Sequence, residues 1–270
     1  MNETHQPGYT HGHHESVLRG HRRRTVDDSA EYLLPFLKPG LSVLDVGCGP
    51  GTITADLAAV VAPGLVTAVD RFGDVLNAAR AEAERRNLSN VSFVPADVHK
   101  LDFPDDAFDV VHAHQVLQHV ADPVQALREM RRVCRPGGIV AARDADYAGF
   151  IWFPQLPALD LWLDLYRQAA RANSGEPDAG RRLLSWAKQA GFQDIYPTAS
   201  VWCYATPETR QFWGGMWADR ILHSGVARDL LERGLATPGQ LDEISAAWLE
   251  WAAAPDGWLS FPHGEIICRA

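Results

Sequence analysis

A chain of 270 residues, 46% of them hydrophobic, is long enough for one large domain or a domain with an added lobe, and can bury a substantial core. Its formal charge of -9 disfavours a nucleic-acid backbone as the main partner, and the four cysteines, Cys48, Cys134, Cys203 and Cys268, stand too far apart for a CxxC site or a disulfide ladder. No stretch reaches the roughly 20 apolar residues of a membrane helix, and the amino terminus has no signal-peptide core, so a soluble cytoplasmic protein without a membrane partner is expected.

The elements follow in chain order. His11, His13 and His14 crowd near the start, but HxHH in an arm gives zinc no fixed fourth ligand, so no metal site is expected. Over 17–37, Leu18, Val26, Ala30, Leu33, Leu34 and Leu37 share one helical face. On that helix Arg19, Arg22, Arg23 and Arg24, followed by Asp27, Asp28 and Glu31, read as a solvated, self-paired face. Pro39-Gly40 ends it. Residues 41–46 form an apolar run suited to a strand covered on both faces, and 52–61 read as a helix closed by Pro63-Gly64. The pattern repeats: strand 65–70, helix 74–87, strand 91–94, then strand 108–113, helix 123–134 and strand 138–143. Such alternation with short connections predicts an α/β fold, a doubly wound and mostly parallel sheet with right-handed crossovers, whose ligands bind beyond the carboxyl ends of the strands.

After Asp144 the rhythm breaks. The expected organisation is an amino-terminal helical arm over 1–40, a core over 41–146, a helical insertion over 147–182, a return to the core over 183–206, a second helical insertion over 207–256 and a final core strand over 257–270, interrupted at Pro262-His263-Gly264. Most of the nine tryptophans fall in the two insertions. At helical spacing they are core residues first; on a lid they would wall a cavity for a hydrophobic or planar small molecule.

The stretch LDVGCGPGT, 44–52, carries the chemistry. Gly47, Gly49 and Gly51 at a strand-to-helix junction let a ligand approach the backbone, and the free amides there favour a carboxylate or phosphate. Dinucleotides and S-adenosylmethionine both use such a loop. The dinucleotide fingerprint wants glycine or alanine where Thr52 stands, which speaks mildly against it.

DVGCGPGT, Asp70 ending the second strand, Asp97-Val98 after the third and FDVVHAHQVLQHVADP at the fourth resemble the class I S-adenosylmethionine-dependent methyltransferases, in particular a small-molecule branch similar to the ubiquinone and menaquinone methyltransferases. The resemblance is close over 40–145. It implies a Rossmann-like methyltransferase fold, its two insertions forming a lid, and S-adenosylmethionine as cofactor. It also implies roles. The three glycines pass the methionine end, with Asp45 drawing its ammonium group; Asp70 takes the ribose hydroxyls; Asp97 takes the adenine amino group and Val98 offers its amide; Gln115 lies beside the methionine moiety. Thr52, Arg71 and, on the arm, Tyr9 complete the expected cofactor set.

Methyl transfer is an in-line displacement that needs alignment, exclusion of water and, for a hydroxyl or acidic carbon, a general base. Candidates from the fourth and fifth strand ends are His114, Asp144 and Tyr147, with Asp146 and His119 nearby; Arg143 and Asp144 also read as a structural ion pair. The acceptor is expected to be small and hydrophobic or aromatic, and the protein a monomer or homodimer. Two other readings stay open here, an NAD-dependent oxidoreductase and a non-catalytic S-adenosylmethionine-binding protein.

Overall fold

The computed structural model of the protein describes residues 14–270. Its strands are β1 (Val43–Val46), β2 (Val66–Asp70), β3 (Val91–Pro95), β4 (Phe108–His114), β5 (Cys134–Ala145), β6 (Ile151–Phe153), β7 (Ile195–Tyr204) and β8 (Trp258–Arg269). The chain divides into two compact units. One, the sheet unit, comprises His21–Ala145, Ala179–Ser200 and His263–Ala270; the other, the tryptophan-rich unit, comprises the residues up to Gly20 with Asp146–Asp178 and Val201–Pro262.

In the sheet unit the order is β3-β2-β1-β4-β5-β8. Neighbours from β3 through β5 run parallel and β8 lies antiparallel on β5. The order follows from sequence: helices Thr52–Val61, Gly73–Arg85 and Pro123–Val133 serve as crossovers, and alternate strand residues face opposite sides. Leu44, Val46, Val111, Ala113, Val140 and Ala142 join Leu127, Met130, Leu183 and Ala187 in one buried cluster. Val43, Val110, Ile139 and Ala141 join Leu33, Leu57 and Val61 in another. Each buried Val or Leu contributes about 1.5–3 kcal/mol, so the two clusters fix the register from both faces. Asp122 starts the helix Pro123–Val133 by accepting from the Gln125 amide at 2.9 Å, with Pro123 at the position where a missing N–H costs nothing.

In the tryptophan-rich unit the helices Pro157–Ala172, Pro207–His223, Gly225–Glu232 and Pro238–Ala253 pack around Trp162, Trp217, Trp248 and Trp251, all fully buried. Trp162 meets Trp217 and Trp248 edge-on at 4.6 and 4.8 Å between ring centroids, the favoured geometry for the ring quadrupoles. These tryptophans are core. The second insertion is three helices: Thr206 starts the first and Thr237 the last, each with a capping box, and Ser224 stands between the first and the second.

Two expectations change. The amino-terminal helical pattern is not one helix: it stops at His21, Thr25 caps a short helix Val26–Ser29, and Pro35 lies in a 3-10 turn Glu31–Phe36. The final strand is not interrupted; β8 is continuous, His263 facing Ala145 and Gly264 facing Asp144 on β5, while its first residues pair with β6, a short strand inside the first insertion. Gly264 permits this by close approach, since a β-carbon there would lie 2.0 Å from the Gly180 carbonyl oxygen. No helix among the described residues is long and apolar enough to cross a membrane.

Candidate active site

β1 ends in the bend 47–51. The Gly47 and Cys48 amides both donate to the Val69 carbonyl, at 2.8 and 3.0 Å, which ties the bend to the end of β2. Gly47, Gly49 and Gly51 have φ of 66°, 55° and 82°, a region other residues enter only at a cost of about 1–2 kcal/mol. Their surroundings differ. A β-carbon on Gly47 would lie 2.4 Å from Val116 Cγ2 and one on Gly51 2.8 Å from Ala79 Cα, whereas one on Gly49 would meet nothing within 4 Å. Gly49 is therefore the glycine with room beside it. Asp70 stands at that point: its Oδ2 accepts from the Gly49 amide at 3.2 Å and its Oδ1 from the Phe72 amide at 3.1 Å.

This contrast predicts different losses. Gly49→Ala is expected to keep the fold, with a penalty of about 1–2 kcal/mol, while losing S-adenosylmethionine affinity because the new methyl fills the open space. Gly47→Ala is expected to lower the melting temperature further, through the Val116 clash. Thermal melts with calorimetric titration of both variants check this, and equal loss of affinity and stability in the two would refute it.

Asp45 is buried and engaged: its Oδ1 accepts from His112 Nδ1 at 2.8 Å, directly across the β1–β4 pairing, and its Oδ2 from Thr54 Oγ1 at 2.5 Å. A carboxylate has about four acceptor positions, so these two bonds steady it and leave capacity for an ammonium group. Thr52, first in its helix, donates its hydroxyl to the His21 carbonyl at 3.3 Å. On the far side, Asp97 Oδ1 accepts from the His99 amide at 2.9 Å and the His99 ring at 2.7 Å. Burial raises the Asp97 carboxyl, but these two bonds and the charges of His99 and Arg71 outweigh it and hold it below the usual range. Val98 is buried in the sheet-unit core. Asp45, Asp70 and Asp97 thus stand at or just beyond the carboxyl ends of β1, β2 and β3, with Gln115 just past β4.

A second cluster occupies the carboxyl ends of β4 and β5 and the middle of β8, which faces them. Arg24 Nη2 donates to Gln115 Oε1 at 2.6 Å, and Gln115 Nε2 lies 2.9 Å from His263 Nε2. The His263 and His114 rings lie roughly parallel, 6.4 Å apart. Asp144 is fully buried; its Oδ1 accepts from the Gln118 amide at 3.0 Å, and Oδ2 has no hydrogen-bond partner among the described residues. Burial pushes its carboxyl up to about 7 against the bonds from the Gln118 and Leu117 amides and the charge of Arg143. Arg143 does not pair with Asp144: adjacent strand residues point to opposite faces. Instead its Nε donates to Glu265 Oε1 at 3.2 Å and Ser200 Oγ at 3.1 Å.

Burial, then the charge of Arg24, takes His119 down to about 3, and burial likewise holds His114 and His263 well below 6.5. The unfolded chain therefore binds protons in acid that these rings refuse when folded. The stability they contribute is present above about pH 6.5 and declines as pH falls, for His119 down to about 3. His119→Gln is expected to flatten the fall of the urea midpoint across that window; an unchanged pH dependence would count against a ring held neutral in the fold.

Sequence reasoning missed Arg24 and His263. Arg24 was one of several arginines on an apparently solvated face, and only the break after His21 turns it toward Gln115. His263 sat in a Pro-His-Gly run resembling a strand break, and only the β5–β8 register brings it to His114. Tyr147 lies in the tryptophan-rich unit, stacked on Tyr166 and Phe150 at 4.1 and 4.9 Å. Tyr9, with His11 and His13, lies outside the described residues. Among the described residues no group of three or more His, Cys, Asp or Glu side chains is placed to hold a metal.

The family described as Methyltransferase domain matches residues 37–191. An uncharacterized methyltransferase of Schizosaccharomyces pombe is 34% identical over 98% of both chains. A ubiquinone/menaquinone biosynthesis C-methyltransferase of Bdellovibrio bacteriovorus is 40% identical, but over only 38% of this chain and 43% of its own length. Among solved structures, the YcgJ protein of Bacillus subtilis superposes with a TM-score of 0.57 at 18% identity, covering 88% of this chain and 97% of its own, a likeness of fold. With more than half the chain inside one family and a full-length relative above 30% identity, this protein belongs to the methyltransferase-domain family and is an S-adenosylmethionine-dependent methyltransferase.

Proposed function

We propose that the protein methylates a small, hydrophobic or aromatic acceptor, using Asp144 as general base. The observation that supports the cofactor half most directly is Asp70 accepting from the amide of Gly49, the glycine with open space beside it. When bound, S-adenosylmethionine supplies an electrophilic methyl carbon on a sulfonium. Gly47, Gly49 and Gly51 give its amino-acid end a backbone without side chains, and Asp45 attracts the ammonium group. Asp70, a carboxylate with about four acceptor positions, suits the ribose hydroxyls while accepting from the Gly49 and Phe72 amides. Asp97 Oδ2 takes neither bond from His99 and suits the adenine amino group, with the Val98 amide beside it. Thr52 and Arg71 flank the bend and the ribose acid, and Gln115 borders the methionine end.

At the second cluster, a carboxyl tuned to about 7 with one uncommitted oxygen can take a proton from a hydroxyl or acidic carbon as it attacks. The imidazoles His114 and His263 are buried, His119 is partly buried, and all three are held below the usual imidazole range, a setting that favours an apolar or aromatic acceptor over a charged one. The likeness to ubiquinone and menaquinone C-methyltransferases over the core supports the same class.

The test is a panel of phenols, quinols, aliphatic alcohols, amines and carboxylates incubated with protein and methyl-labelled cofactor. Label transfer to the aromatic members is the expected result. Turnover confined to amines or carboxylates would overturn the acceptor class.

A further inference from the structure

Two histidines near Asp144 each share a hydrogen bond with a glutamine, and the far end of each glutamine is already committed. Arg24 can only donate. Its contact at 2.6 Å therefore fixes Gln115 Oε1 toward the guanidinium and the Gln115 amide nitrogen toward His263 Nε2, at 2.9 Å. An amide NH2 has donors only, so His263 Nε2 is the acceptor and the ring proton sits on Nδ1. Reversing the amide would set NH2 against guanidinium, donor against donor. The same logic holds at the second pair. The Ala145 amide donates to Gln118 Oε1 at 3.1 Å, which turns the Gln118 amide nitrogen to His119 Nε2 at 2.9 Å. Both imidazoles have their single lone pair occupied.

We propose that Arg24 and Gln115 are positioning residues that hold His263 as the neutral, Nδ1-protonated tautomer, so that His263 carries its proton on Nδ1 and is not a base, which leaves proton removal at this cluster to Asp144 or His114 and, on the reading above, to Asp144. The lock rests on geometry within the sheet unit; its catalytic consequence rests on the methyl-transfer reading above. The charges acting on His263 are Arg143 from β5 and Arg24 from the segment before Thr25, and the titratable ring stacked on it is His114 of β4. Both charges are cationic, so they act in the same direction as the lock.

Nitrogen NMR of the histidine rings in the cofactor-free protein tests the tautomer without reference to activity. Wild-type His263 is expected to show a protonated Nδ1 and a hydrogen-bonded, unprotonated Nε2, constant from about pH 5 to about pH 8. Arg24→Met frees Gln115 to reverse and is expected to move proton population to Nε2, while Arg24→Lys, which keeps a donor, restores the wild-type pattern. Should Arg24→Met not fold, Gln115→Glu serves instead: a carboxylate facing Nε2 can only accept, so the ring must carry its proton there. A wild-type ring protonated on Nε2, one titrating near 6.5, or one indifferent to the folded substitutions overturns the proposal. Calorimetry on the same samples separates the readings, because no S-adenosylmethionine binding with the wild-type ring pattern intact would remove the methyl-transfer assignment while supporting the lock.

Discussion

Asp70→Ala is expected to weaken S-adenosylmethionine binding by about 100-fold. Hydrogen bonds to a charged group contribute about 1.5–3 kcal/mol each, and losing two from the ribose hydroxyls amounts to roughly 3 kcal/mol or more, about two decades in Kd. The same carboxylate also steadies the bend through the Gly49 amide, so alanine removes a ligand contact and a brace together. Asp70→Asn divides them differently: its one oxygen can still accept from the Gly49 amide, but its NH2 then faces the Phe72 amide, donor against donor, and cannot accept from a hydroxyl. Asn is therefore expected to lose about 10-fold in affinity, the value of one charge-assisted bond, and to melt below the wild type, though above the Ala variant, because only the Phe72 bond is lost. Titration calorimetry beside thermal melts reads both. An Ala variant with wild-type Kd would mean that the ligand does not reach Asp70.

The part of this site that was legible in the sequence is the part built on local rules. Glycine before a helix, and acids terminating successive apolar runs, report backbone conformation and strand ends directly, which is why Gly49, Asp70 and Asp97 could be placed before any coordinates. The sheet was legible for the same reason: 41–46, 65–70 and 108–113 are short apolar runs between breakers, and they appear as β1, β2 and β4 within two residues. What was not legible depends on contacts distant in sequence. Arg24 and Gln115 are separated by 91 positions, and Gln115 and His263 by 148. No periodicity links them. His263 takes its place from an antiparallel pairing that a Pro-His-Gly tripeptide seemed to forbid, and Arg143 finds Glu265 rather than its neighbour Asp144 because the cross-strand partner shares its face of the sheet. Charge alone suggested the wrong pair; the pleat decides the right one.

Asp144→Asn is expected to lower kcat by about 10² to 10⁴ on an acceptor that must lose a proton, with S-adenosylmethionine affinity retained, since the side chain lies in the other cluster. Asn keeps an oxygen to accept from the Gln118 amide, so the local geometry survives while the proton acceptor is lost. The wild-type kcat/KM is expected to rise with pH through a limb near 7, following ionisation of the buried carboxyl, and that limb is expected to vanish in the variant. Stability moves the opposite way. A carboxyl whose folded pKa is raised from 3.8 to about 7 holds a proton that the unfolded chain has released, so wild-type stability falls from about pH 4 to about pH 7 on account of this group. Asn carries no such penalty. Relative to wild type, the variant is expected to become more stable as pH rises through that window, in urea unfolding, while remaining far less active above it. A residue whose removal stabilises the fold and disables the reaction is held in place for chemistry rather than packing. If the variant kept both the rate and the limb, the base would have to be sought at His114, because the lone pairs of His119 and His263 are already taken.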